Sequence, residues 1–188
     1  MNHRRTSLRR LNRYLRHSER ILASWDAFTE FNTDLDGWPF DQDAYGRRAA
    51  VRDADTAAAF ASIRSGARQL LATARLQLQH LPAHLTRASW PGQLTILEEA
   101  LCRLDALDKQ WRQTQAQLPE DAGPGTEAYV DALDEHHAEC WSYLDDWACH
   151  GRAILDIQAA TRRAAAQPKR PQLPSVQPRH GGYRATRR

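Results

Sequence analysis

Valine and isoleucine are scarce, with three Val and five Ile against 30 Ala and 21 Leu in 188 residues. β-Branched residues favour strands whereas Ala and Leu favour helices, so the shortage argues against a sheet. Long apolar runs are missing as well. No segment approaches the ~18 residues a membrane span needs, and Met1–Arg20 lacks the apolar stretch of an export signal, the Arg4-Arg5 pair being followed by Thr6-Ser7-Leu8-Arg9-Arg10. A soluble, cytoplasmic protein with no transmembrane segment is expected. Cysteine is limited to positions 102, 140 and 149, an odd number. Cys140 and Cys149 lie ~13.5 Å apart by helical rise, too far to bridge, so reduced thiols are expected. Glycine is sparse, and neither phosphate-cradling pattern, Gly-x-x-x-x-Gly-Lys or Gly-x-Gly-x-x-Gly, occurs.

What the chain does have is helical periodicity. Apolar residues recur at spacings of three and four in four segments: Leu8, Leu11, Leu15 and Trp25; Phe60, Ile63, Ala67, Leu70 and Ala74; Leu94, Leu97, Leu101, Leu104 and Trp111; and Tyr129, Leu133, Cys140, Tyr143, Trp147, Ile154 and Ile157. Helices are expected over about 7–33, 43–81, 91–118 and 125–166, with Asp41 or Asp43 capping the second, Pro91 starting the third and Pro119 stopping it. Gly46 to Asp55 offers little bulk, so this stretch is expected to overhang the core or kink. Trp111 and Trp147 fall on inner stripes. The short connections imply antiparallel neighbours, hence an all-α, up-down-up-down four-helix bundle over 1–167. The Pro/Arg-rich segment 168–188 is expected to be a disordered tail.

Charge is segregated. Residues 1–20 hold seven Arg and one Glu, residues 161–188 hold eight Lys and Arg and no acid, and residues 21–160 hold 11 bases and 22 acids. In an up-down-up-down bundle both basic segments gather at one pole, with the loop bearing His80, His84 and Arg87. The opposite pole collects Asp34, Asp36, Asp41, Asp43, Glu120, Asp121 and Glu127. Clustered Arg beside an acid-free arm is the electrostatic footprint of phosphate-backbone binding. The residues placed in that role are Arg4, Arg5, Arg9, Arg10, Arg13 and Arg16, with Lys169, Arg170, Arg179, Arg184, Arg187 and Arg188. Neither a helix-turn-helix spacing nor a zinc finger is present, so contacts would be to backbone and not to bases.

Other chemistry was weighed on its spacing. Asp134-Glu135-His136-His137-Ala138-Glu139-Cys140 is dense in potential ligands, yet Asp134-x-x-His137 is repeated on no other helix, and no metal or cofactor site is expected. Cys140 with His136 has no glycine-rich turn or oxyanion arrangement nearby, so no catalytic residue is assigned. Asp34-x-Asp36-Gly37 lacks the ligand order of a calcium loop. The expectation is a non-enzymatic binding or adaptor module contacting nucleic-acid backbone without sequence specificity. The alternative is a protein–protein regulatory or assembly subunit docking on another helical protein.

Overall fold

The structure, a computed structural model, describes residues 2–166, without the side chains of Asn2, His3 and Arg4. The described chain is all-helical. Its elements are α1 (Asn2–Asn32), α2 (Gln42–Arg64), α3 (Ala67–Gln79), a 3-10 turn (Ala83–Leu85), α4 (Trp90–Gln117), α5 (Glu127–His150) and α6 (Arg152–Ala166). The Asp41 carboxylate caps α2 by accepting from the Ala44 amide at 3.0 Å. Pro91 occupies the first turn of α4, where its missing N–H costs nothing.

Two helices expected to be continuous are each broken. Over 43–81 the break falls at Ser65-Gly66, and over 125–166 it falls at Gly151. The stripe of apolar residues runs through both breaks, because a single glycine or Ser-Gly step interrupts hydrogen bonds without shifting the apolar period. At the first break the helix changes neighbours: α2 packs on α1 and α5, whereas α3 packs on α4 and α6. At the second, Gly151 is buried, and a Cβ there would meet the Trp147 carbonyl oxygen at 2.6 Å and Leu15 Cδ2 at 3.1 Å. The tightest of these contacts is with the backbone of α5 itself, and α1 comes close enough that Leu15 would have to shift slightly for a side chain here.

Contacting residues fix the relative directions. Trp25 meets Tyr45 and Tyr14 meets Phe60, so α1 and α2 run in opposite senses. Arg64 pairs with Asp105 and Asp108, and Arg75 with Glu98, so α2–α3 opposes α4. Arg52 meets Trp141, Phe60 meets Trp147 and Gln77 meets Gln158, so α2–α3 and α5–α6 run the same way.

The core occupies only part of this framework. Leu11, Tyr14, Phe60, Trp90, Leu94, Leu97, Trp147 and Ile157 are among its members, and Tyr14 donates its hydroxyl to the Leu144 carbonyl at 2.8 Å. Between Ser18 and Asp53, and again between Leu104 and Cys140, no residue is fully buried. Trp111, expected on an inner stripe beside Trp147, is accordingly half-buried while Trp147 is wholly enclosed. In that half the helices are joined by aromatic contacts: Trp25 with Phe28 and Tyr45, and Trp111 with Tyr129 and His136. The Gly46 to Asp55 stretch does not kink, and up to Arg52 it extends past the fully buried core, as expected. It compensates for its lack of bulk with Arg52, whose guanidinium lies between the rings of Trp25 and Trp141 at 4.2 and 3.9 Å.

Candidate functional site

On a helix of 3.6 residues per turn, Arg5, Arg9, Arg13, Arg16 and Arg20 of α1 fall within an arc of about 80° and a length of ~22 Å. All five are exposed, while Leu11, Tyr14, Leu15 and Ser18 bury the opposite face. The amphipathic pattern leaves the basic side chains no choice of direction. Among the described residues, none of the five is in an ion pair. Six arginines farther along the chain are paired: Arg52 with Asp53, Arg64 and Arg68 with Asp105, Arg75 with Glu98, and Arg87 and Arg152 with Asp156. Positive charge is thus left open along one face of α1, while six arginines farther along are matched with acids.

The residues proposed from sequence are distributed as follows. Arg5 and Arg9 line a hollow of about 460 Å³ with Leu8, Asn12 and Arg162 of α6, which brings the two basic segments together as far as the described residues reach. Arg13 and Arg16 continue the same face. Arg10 departs from it, lying instead beside Ser62 and Gly66 at the α2–α3 break. Arg4 is helical, with its side chain outside the described residues. Lys169, Arg170, Arg179, Arg184, Arg187 and Arg188 lie wholly outside them. Arg20 and Arg162 are additional members; the four-four-three-four spacing from Arg5 to Arg20 was the sequence signal for the first.

The Asp134 to His150 cluster does not converge. Among the described residues no group of three His, Cys, Asp or Glu side chains is placed to hold a metal ion. His136 stacks on Trp111 with ring centroids 5.3 Å apart and planes 15° from parallel, and its Nε2 is 3.8 Å from Cys140 Sγ. Burial presses the pKa of both His136 and His137 below the usual imidazole value, and burial raises the Cys140 thiol to about 11. A thiol so protonated at neutral pH is a poor nucleophile. The Asp34 carboxylate is engaged by the backbone, accepting from the amides of Asp36 (3.0 Å) and Trp38 (2.8 Å), which makes the 33–41 segment a hydrogen-bonded turn.

A second hollow, of about 520 Å³, opens between the start of α1, α3 and α6, with Leu8, Leu70 and Ile154 as its apolar lining and Gln69, Gln77 and Gln158 as its polar lining. No described helix is long and apolar enough to cross a membrane. No protein-family model matches the chain, no curated protein matches it in sequence, and no solved structure matches it.

Proposed function

We propose that the chain is a non-enzymatic helical binding module whose α1 face contacts the phosphate backbone of nucleic acid without reading its sequence. The observation that carries this reading is the exposed stripe Arg5, Arg9, Arg13, Arg16 and Arg20, five arginines on one face without an ion pair among the described residues, while Arg52, Arg64, Arg68, Arg75, Arg87 and Arg152 are matched with acids. Arg162 extends the same surface, and the bases from Lys169 to Arg188 add to its charge. Taking α2 with α3 and α5 with α6 as two broken rods, the framework is an up-down-up-down bundle of four; the opposed order of the contacting pairs supports it. Three unpaired cysteines, two of them exposed, suit a reducing compartment such as the cytoplasm.

The test is titration of a labelled mixed-sequence duplex at increasing salt. Log affinity is expected to fall linearly with log salt at about 0.9 per phosphate contacted, and Arg9→Gln, Arg13→Gln and Arg16→Gln together to flatten that slope. Absence of binding at low salt, or an unchanged slope in the triple variant, would exclude the reading. A second reading, an assembly subunit with no nucleic-acid role, is favoured by the exposed apolar residues Phe31, Leu35, Trp38 and Phe40.

A further inference from the structure

The connection between α1 and α2 is a fixed platform for apolar side chains that point into water. Thr33 and Pro39 bridge, the Phe40 amide donates to the Asn32 carbonyl at 3.0 Å, and the Asp34 amide donates to the Trp38 carbonyl at 2.9 Å. Gly37 supplies the left-handed residue of the turn at φ 84°. On this frame Phe31 is 77% exposed, Trp38 72%, Phe40 72% and Leu35 fully so. Such side chains leave on the order of 500 Å² of apolar surface in water, the size at which an exposed patch on a monomer is commonly functional. A floppy loop could fold these groups inward; this one is hydrogen-bonded so that it cannot.

The surroundings are mainly acidic, although Arg48 of α2 lies over the Phe28 ring. Residues 21–46 contain Asp26, Glu30, Asp34, Asp36, Asp41 and Asp43 and no Lys or Arg. A fitting partner therefore carries cationic side chains, to meet the carboxylates and stack on the rings, together with apolar groups for the aromatic surface. An anionic lipid surface is disfavoured by the same charge.

The chain contains one segment with this chemistry. Residues 167–188 carry Lys169, Arg170, Arg179, Arg184, Arg187 and Arg188 with no acid, and Pro168, Pro171 and Pro174 recur at every third position. In a polyproline II conformation, with three residues per turn, those three prolines share one face, the arrangement that docks on aromatic-lined surfaces.

Reach decides which molecule supplies it. Arg52 touches both Trp25 and Trp141, so these two are level along the rods, and the loop lies beyond Trp25 on the side away from α6. Twenty-five helical residues from Trp141 to Ala166 span ~38 Å, and the loop is farther still. Pro174 is eight residues past Ala166 and extends at most ~28 Å from it. The proline run thus falls short of its own loop and can meet only that of another copy. We propose that the acidic aromatic loop centred on Trp38 and Phe40 is the docking site for the Pro/Lys/Arg run 168–174 of a second copy of this chain, joining molecules head to tail. The contact is heterologous, so it propagates from copy to copy instead of closing as a symmetric pair. It does not require the nucleic-acid reading, although Lys169 and Arg170 enter both.

The experiment uses full-length, nuclease-treated protein in sedimentation velocity over a range of concentrations. The parent chain is expected to give a concentration-dependent series of species, weakened by salt. A loop variant (Trp38→Ser, Phe40→Ser) and a segment variant (Lys169→Gln, Arg170→Gln, Pro171→Ser, Pro174→Ser) should each self-associate at least tenfold more weakly. Mixed together, the two should form a complex of two chains and no larger, because one intact loop meets one intact segment and both remaining ends are blocked. A synthetic 167–188 peptide should dissociate the parent series. The loop residues lie outside the core, so helical circular dichroism is expected to be unchanged in both variants. A parent chain that stays monomeric, a segment variant that still associates, a mixture that forms no two-chain complex, or a peptide that displaces nothing would each overturn the proposal.

Discussion

The guanidinium carbon of Arg52 lies 3.9 Å from the centre of the Trp141 ring, and Trp25 covers its other face at 4.2 Å. This cation joins α1, α2 and α5 where the hydrocarbon core has ended. It also pairs at 2.7 Å with Asp53, whose side chain is 5% exposed. Replacing Arg52 with Ala removes both stacks and strands a buried carboxylate, a loss of about 3–5 kcal/mol. Arg52→Lys should retain the charge but not the planar stacking, and so recover only part of it. Urea denaturation of the two variants, with the double change Arg52→Met and Asp53→Asn as a reference, measures this; a loss below about 1 kcal/mol for Arg52→Ala would mean that the sandwich contributes little.

The tryptophans report how far the core extends. Trp147→Ala should cost about 3–5 kcal/mol, since the indole is enclosed and meets Phe60 at 5.3 Å. Trp111→Ala should cost roughly half as much because one side of the ring faces water. Trp38→Ala should fall within about 0.5 kcal/mol of the parent. Equal losses at all three positions, read from thermal unfolding, would contradict the graded burial.

Acid should weaken the fold through two imidazoles. Burial lowers the folded-state pKa of His136 and His137 below the usual 6.5, although Asp108 and Glu139 raise the first and Asp134 and Asp53 the second. The unfolded chain then binds more protons than the folded one in the window beneath 6.5, so stability falls as pH drops through it. Asp53 and Asp146, pushed above the usual carboxylate range by burial, act in the opposite sense at lower pH. His136→Phe keeps a ring against Trp111 and should flatten the fall in melting temperature between pH 7 and pH 5. An equally steep fall in that variant would assign the dependence elsewhere.

Helical content was legible because composition and period agree: Ala and Leu dominate, and the stripes from Leu94 to Leu104 and from Cys140 to Ile157 correspond to buried residues. The breaks at Ser65-Gly66 and Gly151 were hidden because the period passes through them. Arg52 was hidden for a different reason. A charged residue among small ones reads as solvated, and only its aromatic partners, 27 and 89 residues away in sequence, make it interior. Trp111 was placed too deep because spacing gives the direction of a side chain but not the distance to the next helix. The arginine face was half legible: Arg5, Arg9, Arg13 and Arg16 were recognised as a charge cluster, while their alignment with Arg20 and their approach to Arg162 required the helix and its neighbour.

Gly151 acts as a seat for α1. A Cβ there would meet Leu15 Cδ2 at 3.1 Å and Leu11 Cδ1 at 3.6 Å, so both leucines of α1 seat against its backbone. One missing carbon thereby lets a 31-residue helix lie close against the α5–α6 junction. Leu8, one turn before Leu11, is held by the same seating at the mouth of the hollow shared with α3 and α6. A larger residue at position 151 would press on Leu15 and Leu11 and so push apart the helix that carries the arginine face and the junction it rests on.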